Sequence, residues 1–291
     1  MKTLRRPRER VPAPRPVVDS VLSRALGAPL GTAERVSAVC QILSGAEYLV
    51  RRADRETGGL NDWNLARDQV PSKLRLTRRM RDLVATEAVT SGLHVAQVGA
   101  GMVLLSPVRH QGVRAGADLL LAGSQLLLYP RHLYGTDGSD QVSFLVAAAA
   151  GLGRAGGTAG TRRAAIEFIG AQTILSYSAA GIAKLPGALW RSGDALVSIM
   201  RTQTYGDEGF YRLLTRFPRS ARALCRGVVA FEALFPLLAV GRGRCMDWGL
   251  AVMAAFHAAN ARFMGLSRFS WAFVSTYPAV RSLVRWEEVS A

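Results

Sequence analysis

Lys184 is the residue in this sequence whose surroundings most directly suggest chemistry. It ends an apolar stretch in which Thr173, Tyr177, Gly181 and Lys184 recur at i, i+4, i+8 and i+11, one face of a helix. A lysine drawn into an apolar setting gives up its proton more readily and can then serve as a general base near neutral pH. An arginine stays protonated and cannot. Only Lys2, Lys73 and Lys184 are lysines in a chain with 37 Lys+Arg, so a lysine here stands out from an arginine background. Tyr177, one face-turn away, is positioned to share a hydrogen bond with it. The same position, just before Leu185-Pro186, also suits a lysine that caps helix carbonyls or reaches for a membrane interface.

Other polar residues interrupt apolar runs in pairs. Glu87, Ser91 and His94 fall at i, i+4 and i+7 with Gln97 close by, a spacing that suits a proton relay. His257 and Asn260 fall at i and i+3, while Glu232 and Asp118 stand alone. Each also fits an interhelical hydrogen-bonded strut, the commoner role. The segment Tyr134-Gly-Thr-Asp137-Gly-Ser-Asp140 has the glycine and aspartate density of a tight turn with Asx-type bonds. It lacks the terminal glutamate of a calcium loop. Cys40, Cys225 and Cys245 form no paired spacing. No metal site is expected. The candidate catalytic set is therefore Lys184, Tyr177, His94, Glu87, Asp140 and His257, with Trp190, Asp137 and Asn260 as candidates for holding substrate.

These residues need elements to carry them. The chain has 291 residues, 49% of them hydrophobic, with a formal net charge of +16. So apolar a composition excludes a disordered chain. Eight apolar stretches, 32–50, 83–106, 115–130, 141–153, 164–186, 222–241, 246–264 and 269–285, are separated by basic segments. Residues 51–82 alone hold nine Lys/Arg against five Asp/Glu. Charge confined between apolar runs marks an integral membrane protein; a soluble helix would show charge on every turn. No basic face interleaved with aromatics is present, so a nucleic-acid partner is not expected. The pattern predicts an all-α polytopic membrane bundle of about six to eight transmembrane or membrane-embedded helices. A Pro/Arg-rich tail (1–31) would precede a membrane domain (32–285), with a short C-terminal tail (286–291). The positive-inside rule places the N-terminus in the cytoplasm of a bacterial cell.

Two segments carry a family resemblance. Leu128-Tyr-Pro-Arg-His-Leu-Tyr-Gly-Thr-Asp-Gly-Ser-Asp140 is one. The other runs from Gln172 through Tyr177-Ser-Ala-Ala-Gly-Ile-Ala-Lys184-Leu to Trp190 and Gly193-Asp-Ala-Leu. They resemble the HTTM domain, the membrane portion shared with vitamin K-dependent γ-carboxylase, over roughly residues 32–285. The resemblance implies that Lys184 is the strong-base participant and that a reduced quinone is the cofactor of a carboxylase-type reaction. Ala183 stands where carboxylases carry a second lysine, and the length leaves no room for their large extramembrane domain. The chain is more similar to the shorter SdpB-like proteins of peptide-toxin maturation and to membrane proteins of linaridin-type peptide clusters. That implies proton abstraction from a ribosomally made precursor peptide, giving epimerisation or dehydration, with no cofactor and with a second membrane subunit. A non-catalytic subunit, with Lys184 paired to Glu167 or Glu232, is the remaining expectation.

Overall fold

A computed structural model describes residues 29–69, 75–132, 135–240 and 243–285. Nearly all of the expected N-terminal tail and the expected C-terminal tail lie outside the described residues. The described residues form thirteen α-helices and two 3₁₀ turns, with no strand among them. The chain is all-α, as the apolar periodicity predicts.

Eight elements match the eight apolar stretches. They are α1 (Pro29–Val50), α4 (Glu87–Leu105), α5 (Gln111–Leu128), α6 (Gly138–Ala155), α7 (Ala159–Lys184), α11 (Pro218–Ala233, continued by the 3₁₀ turn Phe235–Ala239), α12 (Met246–Met264) and α13 (Ser267–Val284). Helix α1 already includes residues 29–31, which the sequence pattern assigns to the tail. The connectors are more ordered than their charge suggests. Between α1 and α4 lie α2 (Trp63–Ala66) and α3 (Arg75–Val84). Between α7 and α11 lie α8 (Ala188–Ser192), α9 (Ala195–Met200) and α10 (Glu208–Arg216). The latter group closes over its own small core of Met200, Leu214 and Ala221.

Local chemistry sets the boundaries. Asp137 and Asp140 form a capping box at the start of α6: Asp137 Oδ1 accepts from the Ser139 amide (2.7 Å), and Asp140 Oδ2 accepts from the Asp137 amide (3.0 Å). Thr158 caps α7 and Asp207 caps α10 by the same logic. Pro218 opens α11, where its missing N–H costs nothing.

Helices α1 and α13 sit at the centre. Helix α1 packs on α4, α6 and α13, while α13 packs on α1, α6, α7 and α12. Helix α5 lies between α4 and α6, and α11 lies against α7. Small residues bring the helices close. A Cβ on Gly181 would lie 2.2 Å from the Ala233 amide nitrogen, and one on Gly170 would lie 2.8 Å from the Ala279 carbonyl oxygen. The long helices alternate in direction, so the connectors 51–86, 129–137, 185–217 and 265–266 gather at one end, here called the distal end.

In the bundle apolar clusters fill most of the interior, but polar and charged residues are buried among them and apolar side chains also cover the flanks. Its interior holds Glu34 (1% exposed), Arg114 (3%), Asp118, Thr173 and His257. Its flanks display Val95 (59% exposed), Met102, Leu152, Phe168, Leu175 and Trp248. Glu34 is matched by partners: it accepts from Arg114 Nη2 (2.6 Å) and from both Nε and Nη2 of Arg154 (2.7 Å for Nη2), and Arg154 also reaches Gln111. Among the described residues one helix, α4, is by itself long and apolar enough to cross a membrane, with 19 residues and a mean hydropathy of 1.5.

Candidate functional site

Near the distal end a cavity of about 550 Å³ opens between α5 and α6. Its polar wall includes Tyr48 from α1, His94 and Gln97 from α4, Gln125 from α5, and His132 from the turn that follows α5. Leu126, Phe144 and Leu145 line the apolar side.

The two histidines are bonded to each other. His94 Nε2 and His132 Nε2 are 2.8 Å apart, and His94 Nδ1 lies 2.8 Å from Gln97 Oε1. The Tyr48 ring stacks on both, with centroids 4.0 Å from His132 and 5.0 Å from His94. Among the described residues His132 Nδ1 is buried with no hydrogen-bond partner. On those contacts one tautomer pair is favoured. If Gln97 Oε1 accepts from His94 Nδ1–H, then His94 Nε2 carries a lone pair and accepts from His132 Nε2–H. His132 Nδ1 is then a bare lone pair. The reverse assignment would leave a buried N–H without an acceptor, the costlier defect. Burial also pulls the His132 pKa down from 6.5 to about 2, so the ring is neutral and the lone pair present throughout the physiological range.

A layer of ion pairs holds this arrangement. Arg55 donates to both carboxylate oxygens of Glu87 (2.6 and 2.9 Å), to Ser91 Oγ (3.2 Å) and to the Tyr48 carbonyl. Arg131 donates to the carbonyls of Asn61 and Arg55, which ties the 52–62 connector to the turn bearing His132. Arg268 lies over the Tyr48 ring and bonds Ser44 Oγ (2.9 Å), Asp140 (3.4 Å) and Glu47 (3.3 Å).

The sequence-derived candidates fall into two groups. His94, Asp137 and Asp140 border the cavity, with both aspartates also serving as the α6 cap. Glu87 binds Ser91, as their i, i+4 spacing predicts, but is turned to Arg55 and does not bond His94. Further along the bundle, Tyr177 Oη lies 2.8 Å from His257 Nε2 and 3.1 Å from Tyr277 Oη, within a shell of Phe235, Phe269 and Phe273. The helix face Thr173-Tyr177-Gly181-Lys184 does turn inward. The small residue on it serves contact, since Gly181 abuts the backbone of α11.

Lys184 is engaged elsewhere. Its ammonium donates to the buried carboxylate of Glu232, and its Nζ lies 5.4 Å from the centroid of Trp190. Among the described residues it has no bond to Tyr177 and does not border the histidine cavity. Trp190 instead lines a shallower groove with Leu189 and Ile199. Asn260 uses its carbonyl to close the end of α12, accepting from Leu266 (3.3 Å).

Tyr48, His132, Arg55 and Arg268 were not legible as site residues. His132 is 38 positions from His94, a separation with no helical meaning, and Arg268 comes from the last helix. No group of three or more metal-ligating side chains occurs among the described residues. No family model, curated protein or solved structure matches this chain.

Proposed function

We propose that this chain is an integral membrane enzyme of the HTTM kind that takes a proton from a ribosomally made peptide at the His94–His132 pair. The observation that carries the reading is the His94–His132 contact in the cavity wall. In the reaction the substrate C–H bond breaks, its proton passes to the imidazole pair, and its electron pair stays on carbon. His132 Nε2–H, bonded to His94 and through it to Gln97, disperses the charge that develops on the ring. Reprotonation from the other face gives the epimer. Loss of a β-hydroxyl, which takes up the abstracted proton and leaves as water, instead gives a dehydroamino acid.

The membrane setting rests on the exposed apolar flanks, with Val95, Met102, Leu152, Phe168, Leu175 and Trp248 outward. Such flanks suit a lipid solvent and would be an aggregation liability in water. Helices of 18 residues span about 27 Å, enough for a hydrocarbon core of about 30 Å when flanking residues adjust. Among the described residues only α4 passes alone; α11 has 16 residues and the other long helices carry polar residues along their length. The end holding the start of α1 collects the greater arginine excess, which favours a cytoplasmic N-terminus.

Lys184 is assigned here as a positioning cation for α11, because its ammonium is committed to Glu232. The same pair would be expected of a non-catalytic subunit, with activity lying in a second membrane protein. A reduced quinone is a further occupant that the cavity's aromatic wall and histidines could accept, supplying the oxygen-driven base of a carboxylase.

Co-expression with a small precursor peptide encoded beside the gene separates these readings. Inversion or loss of water that survives in anaerobic, quinone-free membranes and disappears in His132→Gln supports the enzyme. Gain of carbon dioxide supports the quinone reading. Modification unchanged by His132→Gln refutes the assigned base.

A further inference from the structure

The lining of the histidine cavity has a charge opposite to that of the protein. The chain carries a net +16, yet the charged side chains bordering the cavity are Asp137 and Asp140, with no lysine or arginine among them. The nearest cation, Arg268, is spent on Asp140, Glu47, Ser44 Oγ and the Gly135 carbonyl. Asp137 uses Oδ1 on the Ser139 amide and hydroxyl and has Oδ2 left over among the described residues. His94 and His132 are neutral by the tautomer argument above. Opposite this acceptor-rich side stand Leu126, Phe144 and Leu145. The mouth lies on the bundle's flank, where Leu126 is 66% exposed and Tyr129 half-exposed.

We propose that the cavity receives a primary ammonium on an apolar stem, presented by a lysine side chain or the amino terminus of the peptide substrate. This rests on the peptide-enzyme reading and names the substrate feature that the site recognises. A cation is repelled by the protein's overall field, so the Asp137 carboxylate, the one not paired with Arg268, decides where in the low-dielectric recess it can settle. The recess's volume lies within the range of sites that take a small ligand or a few side chains. An anion would meet the unpaired Asp137 carboxylate and no free cation, so a glutamate side chain, the carboxylase substrate, is disfavoured at this site.

The test reads binding alone. In a Cys245→Ser background, Gln141→Cys places a thiol at an exposed position of the cavity lining. The protein is held in nanodiscs of phosphatidylcholine and phosphatidylglycerol, and alkylation by a water-soluble maleimide is timed. Dodecylammonium is expected to slow labelling at least fivefold, while dodecanoate and dodecanol leave it unchanged. Asp137→Asn, which keeps an oxygen for the α6 cap, is expected to remove that protection without changing the melting temperature. Equal protection by dodecanoate, or none by dodecylammonium, overturns the proposal. So does full protection by phosphatidylethanolamine alone, which would make the recess an aminolipid site. None of these results depends on turnover, so the cavity's ligand class can fail while the assignment of the histidine pair as base stands, and the reverse.

Discussion

The Lys184–Glu232 pair separates a base from a strut, and the structure sets different costs for removing its two ends. Glu232 is nearly sealed, with 6% of its side chain exposed, whereas Lys184 keeps 22%. Lys184→Met therefore strands a carboxylate in the interior, and breaking a buried pair in this way costs about 3–5 kcal/mol. Glu232→Gln strands an ammonium that can turn toward the surface, and its cost is about 1–2 kcal/mol. The double variant Lys184→Met/Glu232→Leu removes both charges and should return to within about 1 kcal/mol of the native protein. For a chain of this size each kcal/mol moves the melting temperature by roughly 2–4 °C. Thermal unfolding in one detergent should thus show a drop of roughly 6–20 °C for Lys184→Met and near-native melting for the double variant. Lys184→Arg keeps the ion pair but cannot titrate near neutrality. It should melt normally and, if Lys184 positions α11, still modify the co-expressed precursor. Normal melting of Lys184→Met, or loss of turnover in a stably folded Lys184→Arg, would refute the strut and restore the lysine as base.

Three further outcomes follow from the packing. Gly181→Val should fail to assemble or lose at least about 3 kcal/mol, because its first carbon would meet the backbone of α11, which has no rotamer to yield; expression and melting of Gly181→Ala and Gly181→Val check this. Glu34→Gln should cost about 3–5 kcal/mol in denaturant unfolding, since Arg114 and Arg154 would both lose their buried counter-charge. Acidification should destabilise the fold through His132. Its folded pKa is depressed, so its contribution is complete above 6.5 and is lost as pH falls toward about 2, at up to about 1.4 kcal/mol per pH unit. Melting temperatures of the native protein and His132→Gln, taken from pH 7 to pH 4, should differ in slope, with the variant flatter.

How much of this was legible in the sequence depends on the range of the signal. Helix positions were readable because apolar runs report local periodicity, and even the short fourth stretch became a capped central helix. The Asp137–Asp140 turn was readable because Asx capping acts over three residues. The inward face ending in Lys184 was readable for the same reason, and its partner was narrowed to Glu167 or Glu232; tertiary packing across 48 positions selects Glu232. The histidine pair was beyond reach, since it joins α4 to a turn after α5. The resemblance directed attention to Lys184, while the cavity is built from the distal ends of α1, α4, α5 and α6. The relay expected of Glu87 and His94 divided because Arg55, from a connector read as solvated charge, took the carboxylate.

The most direct test of the central claim is proton exchange at the substrate carbon. Membranes holding the native protein, His132→Gln or Lys184→Arg are incubated with the precursor peptide in heavy water, and deuterium uptake is followed by mass spectrometry. The account predicts uptake by the native protein and by Lys184→Arg, and a fall of at least about a hundredfold in His132→Gln with its melting temperature retained at neutral pH. Undiminished exchange in His132→Gln would contradict it.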